Sequence, residues 1–213
     1  MNIFVNNAER KQVEEAMREA GRLPPGQVAT LKWPVLHCGT VPRVDPKSWD
    51  FRVWGLVEQP LRLGWEEFQA LPRIEVVADM HCVTRWSRFD NRWAGVAARE
   101  LMERARPRPE ARYVLVHAEP FDAAPGRQGY TANVPLKDLL EPNVLFAHKH
   151  DGELLTPEHG YPLRLVVPHL YAWKSVKWVR GLELLPHDVP GFWEQNGYHI
   201  YGHPWNEQRY DTD

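Results

Sequence analysis

Strand-length apolar runs dominate this chain, and helical periodicity is brief. "MNIFVNNAERKQVEEAMREAG" predicts a short polar helix over Glu9 to Ala20, closed by Gly21. "RLPPGQ" then turns the chain and ends an N-terminal arm, residues 1–26. "TLKWPVLHCGTVPRVD" reads as extended. In "WDFRVWGLVEQPLRLGW", Phe51 and Val53 alternate with Arg52 and Trp54, which predicts a strand, a turn at Glu58-Gln59-Pro60 and a second short strand. "WEEFQALP" predicts one or two helical turns, and "RIEVVADM" a strand that runs into a loop at Cys82.

The second half repeats this alternation. "GVAARELMERARP" places Val96, Leu101, Met102 and Ala105 on one helical face, ended by Pro107. "ARYVLVHAE" predicts a buried strand and "PFDAAPGRQG" a loop. "YTANVPLKDLLEP" predicts a strand and a short helix. Asp151-Gly152 predicts the turn of a hairpin in "VLFAHKHDGELLT". "YPLRLVVPHLYAWKSVKWVRGLELL" reads as two strands joined by an aromatic loop. An irregular aromatic tail, residues 191–213, is expected to pack on a main domain of residues 27–190. Strands and helices do not alternate in βαβ fashion. The expected fold class is therefore α+β, mixed and strand-rich, with short helices.

Composition narrows the function classes. The 213 residues are 43% hydrophobic and 25% charged, with a net charge of −2. No global charge points to nucleic acid, so an electropositive site has to be local. No run of 18 apolar residues offers a membrane span. The two cysteines, Cys38 and Cys82, form neither a CxxC nor a zinc-like spacing. The N-terminus shows no export signal, and the expected location is the cytoplasm. Ten tryptophans and nineteen prolines are unusual; large rings filling a small core account for most of the tryptophans, and the prolines suggest many short strands and defined loops.

Two stretches carry candidate chemistry. In "ADMHCVTRWSRFDNRWAGV", Cys82 is flanked by His81, Arg85, Arg88 and Arg92, with Trp86 and Trp93 between. Neighbouring cations lower a thiol's pKa and favour a thiolate nucleophile or metal ligand. A buried cysteine acting as a small hydrophobe is the alternative. In "HGYPLRLVVPHLYAWKSVKWV", Arg164, Lys174, Ser175 and Lys177 fall within fourteen residues, the composition of a phosphate cradle. His37 in "PVLHCG" and Tyr130 after "PGRQG" are further candidates, each with core packing as its alternative.

Together these segments resemble the molybdopterin-binding domain of the sulfite oxidase family. "ADMHCVTRWS...RWAGV" resembles the segment with the molybdenum-ligating cysteine, and "GYTANVPL" the strand of the active-site tyrosine. "DGELLTPEHGYPLRLVVPHLYAWKSVKWV" resembles the stretch that holds the pterin, and "PVLHCG" an early cofactor contact. They cover roughly residues 30–185 in family order, and stand-alone bacterial oxidoreductases are the most similar members. The resemblance implies a molybdenum–molybdopterin cofactor with Cys82 as the metal ligand. It implies His37, His159, Arg164, Ser175, Val176 and Lys177 as cofactor contacts, and Tyr130 and Arg85 on the catalytic side. The implied reaction is oxygen-atom transfer on a small oxyanion or sulfoxide-type molecule, with a separate electron carrier as partner. Sulfite oxidases carry Arg-Asn-His where this chain has Val35-Leu36-His37, and an arginine pair where it has Arg85-Trp86. Two rivals are a metal-free thiol enzyme, with His37 or His81 as base to Cys82, and a non-catalytic module for an anion or protein partner.

Overall fold

The computed structural model describes residues 3–120 and 129–212. Helix α1 spans Ile3–Glu19 and starts before the expected Glu9. A two-residue strand, β1 (Val28–Ala29), follows, and residues 30–49 then carry no regular element. The expected hairpin forms from β2 (Asp50–Gly55) and β3 (Leu61–Gly64), with α2 (Trp65–Gln69) directly after it. Strand β4 (Ile74–His81) leads to Cys82.

The next twelve residues, Trp86–Ala97, form the longest strand, β5. Helix α3 (Ala98–Ala105), β6 (Tyr113–Ala118), β7 (Thr131–Pro135) and α4 (Leu136–Leu139) follow. Strands β8 (Leu145–His150) and β9 (Glu153–Leu154) make the Asp151-Gly152 hairpin, with both turn residues at positive φ. The last strands are β10 (Arg164–Val166) and β11 (Val179–Leu185), and the tail holds two single 3-10 turns and an isolated Tyr198–Tyr210 bridge. The expected loop before Tyr130 lies mostly outside the described residues.

Among the described residues eleven strands divide into two mixed sheets, as the α+β reading anticipates. One runs β1-β5-β8-β10, with β4 on β5 and β9 on β8; the other runs β3-β2-β11-β6-β7. The pairs β1/β5 and β2/β11 are parallel and the rest antiparallel. The main core lies between the sheets. Phe51 of one meets Phe146 of the other at a ring separation of 5.2 Å, and Leu101 and Met102 of α3 join them. Gly95 lets β5 cross close to β8, since a Cβ there would collide with the Phe146 carbonyl.

Two expectations are corrected here. Val96 belongs to β5, not to the face of α3. Strand β5 itself was hidden because its buried positions include the polar Ser87 and Asn91, which blur the period-two signal. Both are satisfied: Ser87 Oγ meets His81 Nδ1 at 2.8 Å, and Asn91 Nδ2 donates to Ala78 O and Arg88 O. One topological fact positions the site. Strands β10 and β11 lie in different sheets, so the aromatic loop 167–178 bridges the two layers.

Candidate functional site

Cys82 opens the tight turn between β4 and β5. Its N–H donates to Trp86 O at 2.8 Å, and Arg85 N–H returns to Cys82 O at 3.0 Å. The residue is 8% exposed and packs with Trp173, Trp86, Trp193 and Tyr198. Thr84 Oγ1 donates to the sulfur at 3.2 Å. Burial pushes the thiol's pKa up, opposite to the lowering expected from nearby arginines.

Those arginines go elsewhere. Arg85, expected on the catalytic side, is exposed at a φ of +72° and directs Nη1 at Gly26 O, 3.5 Å away. The turn that presents the sulfur swings Arg85 out of the cavity. Arg88 pairs with Asp151 at 2.7 Å. Arg92 is exposed, on the opposite face of β5 from buried Trp93. His81 is buried against Ser87, and burial holds its pKa down at about 4.

Cys82 lines a cavity of about 650 Å³, which the structure builds from distant segments. His37, Tyr130, Arg164, Ser175, Val176 and Lys177 line the same cavity. His159 stands just behind it, with its ring stacked on cavity-lining Trp33 at 3.8 Å. Thus the structure gathers every cofactor contact expected from the sequence, at or immediately beside one cavity.

The electrostatics of this cavity are unusual. Arg164 is 2% exposed; it donates to the carbonyls of His159 and Ser175, both at 3.0 Å, and its Nε has no partner. Its guanidinium lies 5.4 and 5.5 Å from the Trp33 and Trp93 rings. Lys177 Nζ donates to the carbonyls of Leu36 and Glu158, at 2.7 and 2.6 Å. Among the described residues, no carboxylate pairs with either cation. Burial pushes Arg164 down to about 9 and Lys177 to about 7, and the charge of Arg164 lowers Lys177 further. His159 Nε2 is buried without a partner. An uncompensated buried cation such as Arg164, with an orphaned Nε–H, is costly unless an anion completes it. These residues therefore fit an anionic, phosphate-bearing group.

Aromatic rings make up much of the remaining lining. Trp193 stacks on Tyr198 at 4.8 Å, Tyr198 meets Trp173 edge-on at 5.1 Å, and Phe192 meets Trp193 at 5.1 Å. Tyr130 Oη donates to Trp173 O at 3.0 Å, and burial raises its pKa well above the ordinary value. His37 lies at the exposed edge, with Nδ1 3.0 Å from Gly39 O.

Lys174, counted with the cradle by sequence, points away from it. Its fully buried ammonium pairs with Glu194 Oε1 at 2.5 Å and reaches Asn133 and Ile200. The same Glu194 oxygen accepts from Trp173 Nε1 at 2.8 Å, so the tail fixes one wall of the cavity. Sequence reasoning missed Trp33, Trp178 and Glu194. Trp178 adopts φ +54°, donates Nε1 to Pro157 O at 2.7 Å and lies under Lys177 Nζ, 5.6 Å away. The available signal was the interleaving of indoles with cations in "AWKSVKW".

Comparison with known proteins bears on what this cavity holds. Residues 38–193 match the oxidoreductase molybdopterin binding domain. The uncharacterized oxidoreductase YuiH of Bacillus subtilis (strain 168) is 50% identical, over 92% of this chain and 95% of its own length. Sulfite oxidase of Gallus gallus is 32% identical over 74% of this chain, which spans only 39% of that protein. The sulfane dehydrogenase SoxCD from Paracoccus pantotrophus superposes with a TM-score of 0.60 at 25% identity, over 69% of this chain and 40% of that one. This chain belongs to the molybdopterin-binding oxidoreductases, the sulfite oxidase family that its sequence resembles.

Proposed function

We propose that the cavity holds a molybdenum–molybdopterin cofactor with Cys82 Sγ as the protein's ligand to the metal, and that the chain carries out oxygen-atom transfer on a small oxyanion or sulfoxide-type substrate. One observation carries the reading: buried Arg164 and half-buried Lys177, with no carboxylate partner among the described residues, line the same cavity as the buried thiol. When bound, the cofactor supplies two-electron exchange with a lone-pair substrate. Its dithiolene and a cysteine give the metal the soft sulfur donors it favours.

The residues then divide the work. Arg164 and Lys177 bind the phosphate, Arg164 with the planar fork that suits its oxygens. Ser175 Oγ accepts from Val167 N–H at 2.9 Å, which leaves its own hydrogen for the cavity. His159, His37 and the Val176 backbone complete the cofactor contacts. Tyr130 stays protonated, and its one hydrogen, given to Trp173 O at rest, turns to the substrate on that side. A separate electron carrier is the partner this reading requires. Residues 1–26 form an arm, 27–190 the cofactor domain, and 191–213 a tail that supplies one cavity wall.

The metal-free thiol reading finds less support. The sulfur's partner is Thr84, its pKa is raised, and neither His37 nor His81 bonds to it. The decisive experiment is molybdenum and pterin analysis of protein from a host that makes the cofactor. Wild type should carry about one of each per chain. Arg164→Ala loses charge-assisted contacts worth about 1.5–3 kcal/mol and should retain clearly less pterin. Full pterin in Arg164→Ala, or none in wild type, would overturn the reading.

A further inference from the structure

The Cys82 turn is gripped from behind by residues near the two ends of the chain. Gln27 Nε2 donates to Cys82 O at 3.0 Å, and Arg209 Nη1 donates to Val83 O at 2.9 Å. Each of these side chains belongs to a residue only 3% exposed. Cys82, Val83, Thr84 and Trp86 line the cavity, whereas Gln27 and Arg209 stand on the turn's other side. Both lie outside residues 38–193, the stretch that matches the oxidoreductase molybdopterin binding domain.

The grip joins the segment after α1 to the tail. Besides the Gln27 contact, Val28 N–H donates to Arg85 O at 2.9 Å, and Gly26 O faces Arg85 Nη1 at 3.5 Å. Pro25 O accepts from Arg209 Nη2 at 3.3 Å, which ties that segment to the tail. Gly26, at φ +66°, leaves room for both guanidiniums: a Cβ there would lie 2.8 Å from Arg85 Nη1 and 3.2 Å from Arg209 Nη2. On the tail side, the Arg209 guanidinium sits 5.0 Å from the ring of Tyr171, which packs with Cys82, and 3.6 Å from Glu207 Oε1. Arg85, at φ +72°, holds a left-handed conformation that a non-glycine residue keeps only where its surroundings enforce it. Rotation of the peptides after Cys82 would swing the sulfur, and hydrogen bonds one layer behind a metal ligand set its direction.

We infer that Gln27 and Arg209 are positioning residues for the metal ligand: by fixing the two peptides that follow Cys82, they keep Sγ aimed into the cavity. This inference rests on the function proposed above. The test uses the molybdenum- and pterin-loaded protein and reads the sulfur-to-metal charge-transfer band together with molybdenum and pterin content. Arg209→Gln removes the guanidinium, and Gln27→Met removes the donor to Cys82 O at similar side-chain length. Each should shift or weaken the band while pterin content stays at the wild-type level, because Arg164 and Lys177 hold the phosphate independently of the turn. Val114→Ala, in the main core, controls for lost stability alone; it should lower Tm and leave the band unchanged. A wild-type band in either loaded variant overturns the inference. So does an equal shift in Val114→Ala, or pterin lost in step with the band, since general loosening of the fold would then account for the change. If Arg209→Gln does not fold, Gln27→Met, which breaks no ion pair, decides alone. Unchanged bands in loaded variants refute this inference only, whereas wild type without molybdenum and pterin refutes the function beneath it.

Discussion

Glu194→Gln removes the charge that answers Lys174 while keeping an acceptor for Trp173 Nε1. The Lys174 ammonium is fully buried, and the glutamate side chain is 1% exposed. Breaking such a pair costs about 3–5 kcal/mol, because the remaining charge stays buried. Three oxygens of Asn133 and Ile200 still accept from Nζ, which places the expected loss near the lower end. For a chain of this length the fall in Tm is roughly 6–12 °C, read by calorimetry at pH 7. The pH dependence has a definite sign. Burial already depresses the Lys174 pKa, and Glu194 opposes that depression. In the variant the folded lysine sheds its proton at lower pH than the unfolded one. The unfolded state then binds more protons, so the variant gains stability as pH rises, and its deficit shrinks above neutrality. A Tm within about 2 °C of wild type at pH 7, or a deficit that widens toward pH 10, would refute the reasoning.

Two further outcomes are expected. Tyr130→Phe should keep full molybdenum and pterin but slow turnover by about 10²-fold or more, in kcat rather than in cofactor content, if Oη is the substrate-side donor; unchanged steady-state kinetics would remove it from the site. His148 is 3% exposed, sits beside Arg73 and is held down at about 4 by burial, so it stays neutral in the fold while the unfolded chain takes a proton below 6.5. Stability should therefore fall as pH drops from 6.5 to 4, with about 3 kcal/mol from this residue, and His148→Gln should flatten that part of the urea-derived profile.

Most elements were legible because their signals are local. The Asp151-Gly152 turn, the alternation of Phe51 and Val53, and the run before Pro107 each act within a few residues. Strand β5 was not, because Ser87 and Asn91 are buried on partners that fold to them from elsewhere. The cradle residues were recognisable as a set. Their division was not: Lys174 and Lys177 are three positions apart, yet one pairs with the tail and the other lines the cavity. Only the bridging of two sheets by loop 167–178 decides this. Arg85 failed for a related reason, since adjacency to Cys82 says nothing of direction when the intervening turn places Arg85 in the left-handed region.

The central claim is that the buried thiol of Cys82 is bonded to molybdenum. Cys38 is its internal control, because it is exposed at the edge of the same cavity. The measurement is the visible absorption of Cys82→Ser and Cys38→Ser, each shown by elemental analysis to contain molybdenum. Serine offers the metal a hard oxygen in place of a soft sulfur. The account predicts that Cys82→Ser loses or shifts its sulfur-to-metal charge-transfer band, while Cys38→Ser keeps the wild-type spectrum. Superimposable spectra for the two molybdenum-containing variants would contradict it.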